Sequence, residues 1–60
     1  MTEYIIQLTY LTDGSATVHD FTLRLYAFDI NTAILMGVSK AVAMFAGTNQ
    51  KLRTVGAQEA

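Results

Sequence analysis

Apolar and polar residues alternate along two early stretches of the chain. Residues 3–12 read Glu-Tyr-Ile-Ile-Gln-Leu-Thr-Tyr-Leu-Thr, with Tyr4, Ile6, Leu8 and Tyr10 on one face and Glu3, Ile5, Gln7, Thr9 and Leu11 on the other. A period of two in a run rich in aromatic and branched residues predicts a β-strand. Residues 17–28 alternate again. Phe21, Leu23, Leu25 and Ala27 share one face, and Asp20, Thr22, Arg24 and Tyr26 share the opposite one. Between the two runs lies Asp13-Gly14-Ser15, and Asp-Gly is a strong hairpin-turn pair. Face parity permits two registers. A two-residue loop sets Leu8 opposite His19 and Ile6 opposite Phe21. A four-residue loop, Asp13 to Ala16, sets Leu8 opposite Phe21, Ile6 opposite Leu23 and Tyr4 opposite Leu25. A slip of one residue would separate the apolar faces. The four-residue loop is preferred, because it pairs the larger side chains and puts Tyr10 beside His19.

The period then changes. From Ile30 the apolar positions recur at three and four residues: Ile30, Ala33, Ile34, Gly37, Val38, Ala41, Val42, Met44 and Phe45. This spacing predicts a helix over residues 30–46. Asp29 is suited to cap its start, where a carboxylate accepts from free amides and meets the positive end of the helix dipole. Gly47 is suited to end it. Residues 48–60 lack periodicity and are expected as a flexible tail, or as a short added strand over Lys51 to Val55. The fold class is therefore α+β: one domain over residues 1–47, an antiparallel β-hairpin followed by one α-helix (β-β-α). It is expected to be completed as a two-layer homodimer.

The helix is the reason to expect a second copy. Its polar positions are few: Asn31, Thr32, Ser39 and Lys40. Leu35, Val38, Val42 and Phe45 carry the apolar surface well past the stripe that two strands can cover. Ala33, Gly37 and Ala41, spaced by four, form a ridge of small residues open to two readings. It can lie on the bulky sheet residues Ile6, Leu8, Phe21 and Leu23, or it can seat a close helix–helix crossing between two copies. The expected dimer or partner interface comprises Ala33, Leu35, Gly37, Val38, Ala41, Val42 and Phe45.

Composition agrees with a need for partners. A 60-residue chain buries only about 60% of its unfolded surface, and small scaffolds of this kind add a disulfide, a metal or an oligomer interface. There is no cysteine, His19 is the sole histidine, and the acids Glu3, Asp13, Asp20, Asp29 and Glu59 show no ligand spacing. No metal or other cofactor is expected. Just over half the residues, 52%, are apolar and only 15% are charged, which leaves association as the remaining device.

His19-Asp20 is the one conceivable acid–base pair, but adjacent strand residues point to opposite faces. No nucleophile sits beside a base, and no glycine-rich loop suits a phosphate, so no enzyme is expected. A formal net charge of −1 gives no electrostatic footprint for nucleic acid. The alternative is nevertheless a nucleic-acid-binding dimer, with Arg24, Tyr26, Lys51 and Arg53 as its contacts. Residues 30–47 fall short of a membrane span and carry Lys40 near their middle, so no membrane is expected. The first residues show no basic segment leading into an apolar one, and the default location is cytoplasmic.

The strand-to-helix join Ala27-Phe28-Asp29-Ile30-Asn31-Thr32-Ala33, with Ala41 beyond it, resembles a pattern in short phage- and prophage-encoded β-β-α proteins. It is also similar to the corresponding part of HicB-like antitoxin domains. The phage resemblance implies a small accessory protein that acts by binding a host or phage protein. It assigns no functional residue.

Overall fold

The computed structural model describes all 60 residues. Strand β1 covers Thr2–Thr12, β2 covers Val18–Ala27, helix α1 covers Ile30–Phe45 and β3 covers Gln50–Glu59. The three strands form one antiparallel sheet in the order β2-β1-β3, and α1 packs on one face of it. The fold is α+β, as the two periods imply.

The β1–β2 register is the one set by a four-residue loop. Tyr4 lies opposite Leu25, Ile6 opposite Leu23, Leu8 opposite Phe21 and Tyr10 opposite His19. Gly14 takes φ +82° in the turn, where a side chain would be strained. Asp29 is extended and its Oδ1 accepts from the Thr32 amide at 2.7 Å, which caps the helix. Gly47 adopts φ +76° two residues beyond the last helical residue, and the chain reverses there.

Residues 48–60 are not a loose tail. Ten of them form β3, twice the length of the expected Lys51–Val55 strand, and β3 pairs along β1 from Thr12 to Tyr4. The register shifts between Thr9 and Tyr10: Thr9 faces Thr54, Tyr10 faces Leu52, and Arg53 is the extra residue of a bulge. The bulge lets Leu52, Val55 and Ala57 all pack against the core. Two consequences follow for association. The helix rests on three strands rather than two. A four-stranded sheet made from two hairpins through β1 is precluded, because β3 occupies that edge; the free edges belong to β2 and β3.

The core is the layer between sheet and helix: Tyr4, Ile6, Leu8, Leu25 and Ala27 from the sheet, with Ala33 and Ala41 from the helix. Large side chains on the central strand meet small ones on the helix. Ile6 is fully buried, and a Cβ built on Gly37 would lie 2.7 Å from its Cγ2. The glycine is what lets the helix settle this close to β1.

Candidate interaction surface

The expected interface residues divide into two sets. Ala33, Gly37 and Ala41 are buried against the sheet. They are occupied within the chain, so the close helix–helix crossing on that ridge is corrected: the ridge serves the helix–sheet contact. Leu35 and Val42 remain in solvent, 68% and 57% exposed, while Val38 and Phe45 are half-buried beside them. These four follow one another at intervals of three, four and three residues, which is the spacing of a helix–helix seam. At about 100° per residue they lie on the flank adjoining the buried ridge and continue toward the outer side.

The end of this flank opens into a groove. Val42, Phe45 and Ala46 form one wall, and Gln50, Lys51 and Leu52 of β3 form the other, around a volume of about 310 Å³. Thus the apolar flank of α1 lies on the β3 side of the molecule. On the opposite flank stand Met36, Lys40 and Met44, all exposed. Phe45 leans inward, its ring centroid 4.9 Å from that of Tyr10. Tyr10 in turn stacks on His19 at 5.2 Å, with 22° between the ring planes. His19 thus covers an aromatic edge of the hairpin. Its sequence neighbour Asp20 lies opposite Thr9, on the other face.

The far face of the sheet is mostly polar. Thr9 and Thr54 join their hydroxyls across β1 and β3, and Arg24 reaches Glu3 at 3.7 Å across β2 and β1. Lys51 pairs with Asp13 at 3.3 Å at the other end. The four candidate nucleic-acid contacts do not converge. Arg24 lies opposite Ile5 and Lys51 opposite Leu11, so the two basic groups sit about 20 Å apart along β1. Arg53 occupies the bulge, and Tyr26 stands exposed at the Arg24 end.

Tyr26 belongs to a second exposed group. Phe28, in the join between β2 and α1, is 79% exposed, and Met1 at the same end of the sheet is exposed as well. Tyr26 and Phe28 both project into solvent. Beside them, Asp29 has its carboxyl held below the ordinary 3.8, first by the hydrogen bond from the Thr32 amide and then by one from the Thr32 side chain.

No group of three or more histidine, cysteine, aspartate or glutamate residues is placed to hold a metal ion. No helix is long and apolar enough to cross a membrane. No protein-family model matches the chain, and neither the curated proteins nor the solved structures contain a match.

Proposed function

We propose that the chain is a small non-enzymatic interaction protein that works as a homodimer and binds a protein target, in an accessory role of the phage or prophage kind. The observation that carries this reading is the exposed helix flank. Leu35 and Val42, at 68% and 57%, are the most exposed of the large apolar side chains of the helix. An exposed apolar stripe on so small a chain favours association. The accessory role rests on the resemblance of the strand-to-helix join.

Magnitudes bear on how the copies meet. Burying an exposed Leu or Val side chain is worth roughly 1.5–3 kcal/mol. Leu35 and Val42 from two copies therefore contribute roughly 4–7 kcal/mol at their observed exposure. Association costs an estimated 4–15 kcal/mol in lost freedom. The stripe supplies the lower end of that range, and other contacts must add to it.

The target surface is assigned to the other exposed group, Tyr26 and Phe28. Aromatic residues dominate binding hot spots, and these two are not used by the core. Sedimentation equilibrium across the micromolar range tests the dimer, and a monomer mass at every concentration overturns it. Affinity capture from the native cell tests the target surface. The wild-type chain is expected to retain a protein that Phe28→Ser releases while still dimeric; equal retention by both overturns the assignment of Phe28.

A further inference from the structure

Resting on the homodimer reading, we infer that the second copy joins across the free edge of β3. The two sheets then become one sheet of six antiparallel strands, in the order β2-β1-β3-β3-β1-β2. A two-fold axis perpendicular to this sheet leaves both helices on the same face, side by side, with like flanks facing each other.

The choice between the two free edges follows from what each brings together. Joining through β3 sets the Leu35, Val38 and Val42 flanks of the two helices against one another. Joining through β2 sets the opposite flanks together and brings two copies of Lys40 into that seam, where like charges repel. The helix also makes its most extensive approach to β3, where Val42 and Phe45 face Leu52 across the groove.

Charge complementarity supports the same edge. β3 begins with Lys51 and Arg53 and ends with Glu59. An antiparallel copy sets the basic end of one strand against the acidic end of the other. Arg53 and Glu59 make no ion pair within the chain, whereas Arg24 of β2 is already engaged by Glu3. Placing Arg53 opposite the partner copy's Glu59 puts Gly56 on the two-fold axis. It also sets Val55 opposite Ala57, both of which pack toward the core. Residues 54–59 lie beyond the bulge and pair regularly with β1, so their outer edge is a uniform template.

The absence of cysteine allows a direct test. Gly56 and Thr22 both lie opposite Gln7, one on each edge strand at the same height of the sheet. A Cβ at position 56 meets nothing within 4 Å, so cysteine is accommodated there. Under mild oxidation Gly56→Cys is expected to form a covalent dimer, and Thr22→Cys is expected to stay a single chain. Sedimentation of charge variants provides a second reading. Arg53→Glu is expected to weaken the dimer roughly tenfold, and the Arg53→Glu/Glu59→Lys double variant is expected to restore most of that loss. A wild-type chain that is monomeric at all concentrations overturns both this mode and the homodimer. A wild-type dimer in which Thr22→Cys cross-links instead, or neither variant does, overturns the β3 edge alone.

Discussion

The helix carries two apolar stripes, and they meet the core unequally. Ala33, Gly37 and Ala41 lie flat on the sheet, while Leu35 and Val42, each larger and more apolar than its counterparts, stay in solvent. Hydrophobicity alone would have ordered them the other way. The difference teaches that fit decides orientation here. The central strand already fills the interlayer space with Tyr4, Ile6 and Leu8, and only a helix face without bulk can settle on them. The larger stripe is then left largely in solvent.

Substitutions can break this division at either stripe. The largest effect is expected at the contact between Ile6 and Gly37. Gly37→Leu must displace a fully buried isoleucine from the central strand and is expected to cost about 3 kcal/mol or more, read from urea unfolding. A domain of this size holds roughly 3–9 kcal/mol in total, so the loss is a third of it or more. Ile6→Ala is expected to cost about 3 kcal/mol through the cavity it leaves. Adding Gly37→Ala to it should then cost less than the sum of the two single changes, because the new methyl group enters space the isoleucine has vacated. Strict additivity would argue against the close contact.

The outer stripe should respond differently. Leu35→Ser, compared at protein concentrations low enough to keep the chain monomeric, is expected to change unfolding stability by no more than about 0.5 kcal/mol. A loss as large as that at Gly37 would mean that Leu35 belongs to the core. The smallest effect concerns the cap that starts both stripes. The Asp29 carboxyl is held below its ordinary 3.8 in the folded chain, so its contribution is present above that value and is lost as pH falls through the lowered one. The difference in melting temperature between wild type and Asp29→Ala is therefore expected to be visible near pH 7 and to vanish in strong acid. A difference that persists in acid would show that the cap acts without its charge.

Much of the fold was legible because its signals are local. Parity of apolar faces pointed to one of two hairpin registers, and the larger paired side chains selected the observed one. Asp29 and Gly47 mark the helix by chemistry that acts within one turn. The third strand was obscured for a specific reason. The residues it packs against the core are Leu52, Val55 and Ala57, spaced by three and then two. The bulge at Arg53 repairs that spacing in three dimensions, but along the chain it erases the alternation that identifies a strand. The exposed stripe was half legible. The sequence shows two apolar stripes, but the face turned to the sheet depends on what the central strand presents to it. Leu35, Val38, Val42 and Phe45 were therefore named together with three residues the core uses.

The strand order also has a kinetic meaning. β1 is flanked on one side by the segment that follows it directly and on the other by the last strand. The contact between Thr9 and Thr54 spans 45 residues. The hairpin and helix can form from neighbours in sequence, whereas β3 must close a loop containing most of the chain. Until it does, the second edge of β1 is unpaired and open to any extended segment nearby. The same order that shields β1 in the finished fold makes docking of β3 the late step of folding, and the interval before it the time when the chain is most exposed to mispairing.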